Sequence, residues 1–257
     1  MKKYSPSQVG MYLRCPASWM FRYAEGLKIP PPGALICGIG VHSAAELNHK
    51  QKISSHEDLP VGDLMDCAAT AVEKRIAEEG LLPDPDVTAG GLKDEAVSLT
   101  KLYRAEVAPT YQPTEAESWF QLSFEGVPYG FTGRVDCVDD QKCIRDLKTA
   151  GRSPNDIEPH VRYQLSAYAM GYEAQHGEMP AACHVNSLIK NKTPKAVSHS
   201  FTPGPEDVRL VLSTLAEVHA GIHAGAFPPQ RSSFTCSRRQ CGFAAVCEKK
   251  YGGKVKP

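Results

Sequence analysis

The stretch GRVDCVDDQKCIRDLKTAG, residues 133–151, places Asp136, Asp146 and Lys148 in two short runs of otherwise apolar alternation. Asp146 and Lys148 are two apart, so in a strand they share one face. A three-residue turn at Asp140, Gln141 and Lys142 would set Asp136 directly opposite Asp146 in an antiparallel pair, with Cβ atoms about 5 Å apart. Two carboxylates that close repel each other unless a proton or a cation lies between them, and hard oxygen donors suit magnesium or manganese. Lys148 beside such a cation could hold an attacking water or stabilise negative charge growing on a phosphate. A competing reading makes the stretch a solvated turn with an exposed Asp146–Lys148 ion pair. Against it stand Val135, Cys137, Ile144 and Leu147, which mark a buried strand pair in which unpaired charge is costly.

A second group of chemically capable residues is made of cysteines. Cys236, Cys241 and Cys247 follow a C-x4-C-x5-C spacing, and Cys15 stands alone at the other end of the chain. Four thiolates suit tetrahedral zinc or a [4Fe-4S] cluster, and the close cysteine pairs of a zinc ribbon are missing. The nine cysteines are an odd number, and the start MKKYSPSQ lacks the apolar stretch of a signal peptide. Free thiols and metal ligation therefore fit better than a disulfide framework, and a cytoplasmic protein is expected. Cys37, Cys67, Cys137, Cys143 and Cys183 read as core or half-buried thiols.

The elements that must position these residues can be read from periodicity. Ser5, Pro6 and Gln8 form a capping box with proline at the first helical position, and Pro16 ends that helix just after Cys15. A Gly-rich opening then leads into helical spacing across ICGIGVHSAAELNHK. Residues 60–111 keep a helical period interrupted by LLPDPDVTAGG, which suggests a helical insertion or lid. The period then changes to two, giving strands at AESWFQLSF, VPYGFTGRVDCV, CIRDLKTA, ACHVNSLIK and AVSHSFT. A helix at PHVRYQLSAYAMGYEAQHG separates the third strand from the fourth, and GPEDVRLVLSTLAEVHAGIHAG forms another. The cysteine-rich tail reads as irregular.

The chain has 257 residues, 42% hydrophobic and 23% charged, with a formal net charge of zero. That composition describes a globular protein with a sizeable core. No apolar run is long enough to cross a membrane as a helix. The balanced charge offers no global basic field for nucleic acid, so any such binding must use local patches.

In order along the chain, GRVD at 133–136, DLK at 146–148 and QLSAY at 164–168 resemble the nuclease core of the PD-(D/E)xK superfamily, specifically its RecB-like branch. The upstream G-x-x-x-H of that branch is matched by GIGVH, with Gly38 and His42. The resemblance implies an α/β fold of the restriction-endonuclease-like kind: a mixed central sheet flanked by helices, with a helical insertion and a cysteine-rich C-terminal clasp. It implies one nuclease domain over 1–257, made of an N-terminal helical segment at 1–30, the insertion at 60–111, the core at 115–202 and the cysteine cluster at 231–251. His42, Asp136, Asp146 and the carbonyl of Leu147 would hold Mg2+ or Mn2+, Lys148 would position water, and Gln164 and Tyr168 would position the lysine or the substrate strand.

Cys15, Cys236, Cys241 and Cys247 resemble the [4Fe-4S] clasp of AddB nuclease domains and CRISPR adaptation exonucleases, with structural Zn2+ as the alternative. Four residues here separate the first two clustered cysteines, where those relatives have two. The implied activity is a metal-dependent DNA exonuclease acting on single-stranded or frayed ends, 5′ to 3′, in recombination, CRISPR spacer acquisition or phage DNA processing. Its partners would be DNA with free ends and a protein of a recombination or CRISPR adaptation complex. Arg14 and Arg22, Lys190, Lys192 and Lys195, and Arg238, Arg239, Lys249 and Lys250 are candidate strand contacts, and Tyr163, Tyr168 and Tyr172 candidate stacking rings. The alternative is a non-catalytic DNA-binding or scaffolding module that keeps the nuclease fold.

Overall fold

A computed structural model describes residues 2–233 and 235–256. In chain order the elements are β1 (Lys2–Tyr4), α1 (Pro6–Arg14), α2 (Pro16–Trp19) running into a π-helical turn, α3 (Gly33–Ser55), α4 (Val61–Glu79) and α5 (Ala89–Leu102). They continue as β2 (Pro113–Ser123), β3 (Tyr129–Asp139), β4 (Cys143–Ala150), α6 (Pro159–His176), β5 (Ala182–Ile189), β6 (Lys195–Phe201), α7 (Pro205–His223) and α8 (Ala244–Tyr251). The result is a mixed α/β fold, a six-stranded sheet with helices on both faces.

The sheet divides at β3. Along one edge β3 pairs antiparallel with β2 over nearly its whole length. Along the other edge it pairs with β1 at Tyr129–Phe131 and with β4 at Cys137 and Val138, leaving residues 132–136 between the two partners. Beyond Arg145, β4 continues as the parallel partner of β5, which pairs antiparallel with β6. The two halves of the sheet therefore part in a fork just where Asp136 and Asp146 stand.

Apolar burial on the two faces fixes this arrangement. On one face Val9, Leu165, Val211 and Leu215 from α1, α6 and α7 pack with Phe131, Val135, Val138 and Ile144 of the sheet. On the other, α3, α4 and α5 pack Val41, Ala68, Val72 and Ala96 with Cys137, Leu147 and Leu188. A smaller cluster of Ala17, Met20, Phe21, Phe243 and Cys247 joins the N-terminal helices to the tail. Two glycines permit close approach. A Cβ at Gly40 would fall 2.7 Å from Val72 Cγ2, and one at Gly171 would fall 2.3 Å from the Phe120 ring.

The capping box at Ser5 and Gln8 is present, and α1 ends at Cys15. Three features depart from the sequence expectation. Lys2–Tyr4 forms a strand, too short to show a period, whose Tyr4 hydroxyl lies 3.0 Å from His219 Nδ1. Helix α3 begins at Gly33 and runs unbroken through Gly38 and Gly40, because the missing side chain at Gly40 is what admits α4. The tail, expected to be irregular, contains α8, which buries Ala244 and Cys247.

Candidate active site

The β3–β4 turn has the length read from the sequence. Cys137 pairs with Arg145 and Val138 with Ile144, and Lys142 takes the left-handed conformation that closes a three-residue loop, φ 60°. Asp139 braces it, accepting from Gln141 N at 3.0 Å, Cys143 N at 2.8 Å and Arg145 Nε at 2.7 Å. The same register carried one rung further puts Asp136 opposite Asp146, on the two sides of the fork.

Around these carboxylates the candidate residues converge. Asp146 Oδ1 accepts from Lys148 Nζ at 2.9 Å, and Lys148 Nζ also donates to Gln164 Oε1 at 3.2 Å. Gln164 Nε2 in turn donates to the Tyr168 hydroxyl at 2.8 Å, one turn along α6. From α3, His42 Nδ1 reaches to 3.3 Å from Asp136 Oδ2, an ion-pair contact outside hydrogen-bond geometry. Asp136 Oδ2 and Asp146 Oδ2 are both buried without a hydrogen-bond partner.

Electrostatics differ across the fork. Burial raises the Asp146 carboxyl above the usual range, and Lys148 offsets this only in part. Burial acts the same way on Asp136, but His42 and Lys148 outweigh it and hold that carboxyl below its ordinary value. For Lys148 and His42 burial opposes the charge, and the two carboxylates overcome it and raise both pKa values.

Do these residues suit a divalent cation? Two buried carboxylate oxygens without donors are what a hard cation would satisfy. His42, Asp136, Asp146 and Leu147 line one cavity of about 10 Å³, room for a single water or ion. Among the described residues no three His, Cys, Asp or Glu side chains gather at coordinating distance. The nearest cationic group is the Lys148 ammonium at Asp146 and the His42 ring at Asp136.

The same cavity holds residues that the motif reading missed. Glu46, one turn after His42 on α3, lines it together with His49, Tyr111 and Glu117. Glu117 stands opposite Asp136, between the pairs Ala116–Cys137 and Ser118–Val135, with φ of 57°. A left-handed glutamate inside a strand is an uncommon and strained conformation. The side-chain alternation of β3 slips here too: Val135 and Val138, three apart, enter the same apolar cluster. The sequence signal for Glu117 was a carboxylate within a strand run, which alternation alone assigns to solvent.

Other expectations resolve differently. Tyr163, Tyr168 and Tyr172 of α6 are all buried in the core, so none offers a free face for stacking. Several candidate cations are already ion-paired: Lys190 with Glu95 at 3.4 Å, Arg239 with Asp86 at 2.8 Å, Lys250 with Glu25 at 2.7 Å, and Arg238 with Glu248. Cys15, Cys236, Cys241 and Cys247, although distant in sequence, line one large cavity of about 990 Å³ together with Arg14 and Arg22. Burial raises the Cys241 and Cys247 thiols, and the neighbouring Cys15 and Cys236 add to the rise. Cys37, Cys137, Cys143 and Cys183 are buried and Cys67 half-buried, as expected of packing thiols.

The forked mixed sheet with helices on both faces is the restriction-endonuclease-like fold. The sequence matches the profile of the PD-(D/E)XK nuclease superfamily over residues 3–248, and the chain belongs to that superfamily. No curated protein matches it. Among solved structures, a putative exonuclease from Eubacterium rectale superposes with a TM-score of 0.60 at 12% identity, covering 100% of this chain and 90% of that one. LHK-Exo in complex with dAMP is a more remote likeness, with a TM-score of 0.36 at 10% identity over 76% of this chain and 92% of that one.

Proposed function

We propose that this protein is a divalent-metal-dependent DNA exonuclease of the RecB-like branch, acting on single-stranded or frayed ends. The observation that carries the reading is the pair of buried carboxylate oxygens of Asp136 and Asp146 at the sheet fork that accept no hydrogen bond. His42, Asp136, Asp146 and the Leu147 carbonyl would hold Mg2+ or Mn2+, which when bound supplies a Lewis acid for the phosphoryl oxygen and a lowered pKa for water.

The chain's own residues then have separate tasks. Lys148 Nζ, held by Asp146 Oδ1 and Gln164 Oε1, is placed to donate toward a water or a phosphate oxygen. Gln164, anchored by Tyr168, limits the directions in which that ammonium can point. The motif order and the exonuclease description of the Eubacterium rectale protein support the choice of reaction. Balanced net charge favours a protein partner that contributes DNA affinity.

Within the same reading, Cys15, Cys236, Cys241 and Cys247 hold a structural [4Fe-4S] cluster. Support comes from the meeting of both ends of the chain in one apolar cluster beside the cavity that all four cysteines line; the described side chains do not themselves gather at coordinating distance. The visible absorption of protein purified without air, together with its iron and zinc content, tests it; zinc without iron would overturn it.

The nuclease reading is tested by digesting end-labelled linear single-stranded DNA with manganese or magnesium, comparing the protein with its Lys148→Ala variant. Cleavage lost in the variant is the expected result, and labels at either end give the direction. Equal cleavage by both proteins would sink the assignment of the chemistry to this site, and none by either with the chromophore intact would sink the proposal in favour of a scaffold. A circular single strand degraded as fast as a linear one would remove the requirement for an end.

A further inference from the structure

One aromatic ring stands outside the core and close to the site. Of the two tryptophans in the chain, Trp19 is 2% exposed and Trp119 is 66% exposed, the most exposed of the large apolar side chains among the described residues. Trp119 lies on β2 directly across from Arg134 of β3, and the Arg134 guanidinium sits 5.7 Å from the centre of the indole ring. Gln175 Nε2 of α6 donates to the Trp119 carbonyl at 2.8 Å, pinning the strand beneath the ring.

Contacts lead from this ring into the site. Arg134 forms an ion pair with Glu117, and Glu117 lines the cavity shared by His42, Asp136 and Asp146. Arg134 is two residues before Asp136 on β3, so the Trp119–Arg134 rung is about 7 Å along the strand from the Glu117–Asp136 rung. The guanidinium lies over one face of the exposed indole, so a base stacks on the other, and a phosphate reaches the guanidinium by sharing it with Glu117. The buried tyrosines of α6 offer no such face.

We propose that Trp119 stacks on an unpaired base of the nucleotide beside the phosphate held at the site, with Arg134 contacting the backbone of that nucleotide. The proposal rests on the nuclease reading and deepens it by naming what selects the substrate. A base inside an intact duplex has no free face, so the platform favours single strands and frayed ends. Its chemistry does not distinguish one base from another.

The test uses the full-length Lys148→Ala protein, so that the strand survives the measurement, and follows tryptophan emission during titration with a short single-stranded oligonucleotide and an abasic strand of equal length. The base-bearing strand is expected to quench the emission and the abasic strand to leave it unchanged. Read by the fluorescence anisotropy of an end-labelled strand, adding Trp119→Ala should weaken the base-bearing strand about tenfold or more, whereas Trp119→Phe retains most of the affinity. The Phe variant also leaves Trp19 as sole emitter, which should not respond. Unchanged thermal melting of Trp119→Ala would separate lost stacking from lost folding. Oligonucleotide binding that is unquenched and indifferent to Trp119→Ala would overturn this inference and leave the nuclease reading standing. Equal loss of abasic and base-bearing strands in Trp119→Ala would overturn it as well, and no oligonucleotide binding by the parent would defeat both readings.

Discussion

Acidification should weaken this fold through one histidine. His49 is buried on α3, its Nε2 2.7 Å from the Tyr111 hydroxyl and 3.1 Å from that of Tyr103. Burial, opposed by Asp136 and reinforced by Lys52, pushes its pKa down to about 4 from an ordinary 6.5. In the unfolded chain the imidazole takes up a proton below about 6.5, while in the folded protein it resists until about 4. The contribution of neutral His49 is therefore complete above the unfolded pKa and is lost as pH falls across that window. At about 1.4 kcal/mol per pH unit, the loss over the window is about 3 kcal/mol, a large share of the stability of a typical domain. Urea unfolding between about pH 7 and pH 4, without divalent cations, would measure it. His49→Gln retains an acceptor for the tyrosines and does not titrate, so its stability curve should be flatter than the parent's by that amount. Parallel curves for the two proteins would refute the reasoning.

The left-handed Glu117 suggests that Glu117→Gly gains about 1 kcal/mol in urea unfolding, since glycine accepts that backbone without strain, while cleavage falls because the carboxylate leaves the cavity. Gly171→Ala forces a methyl to 2.3 Å from Phe120 and should cost about 1–3 kcal/mol, with slower cleavage because Phe120 packs edge-on against Tyr168. Under the proposed cluster, Cys247→Ala should lose the visible chromophore and a large part of the thermal stability, whereas Asp146→Ala should lose cleavage with the chromophore unchanged. Identical behaviour of these last two variants would contradict the separation of clasp and catalytic residues.

Much of the site was legible because strand geometry is strict. The spacing of Asp146 and Lys148, the three-residue turn and the one-turn spacing of Gln164 and Tyr168 each led to a register or contact found in the fold. His42 was found by motif and not by periodicity, since a lone histidine on a helix carries little signal. Glu117 stayed hidden because its placement depends on a backbone distortion that its residue type does not encourage. The burial of all three α6 tyrosines was also beyond reach, because a helix packed on a sheet face takes its exposure from its neighbours. The strand at Lys2–Tyr4 exists only because β3 offers an edge, at Tyr129–Phe131, from well over a hundred residues further on.

The fork in the sheet has a mechanical meaning. On the β4 side, β3 is laddered to β4 only at Cys137 and Val138, while β4 is laddered to β5 along its full length. The two half-sheets thus meet like the blades of shears at a short pivot, with one carboxylate on each blade. Helices α3 and α6, which carry His42 and Gln164, each pack against both blades, so the packing that presents these residues also sets the gap between the two carboxylates.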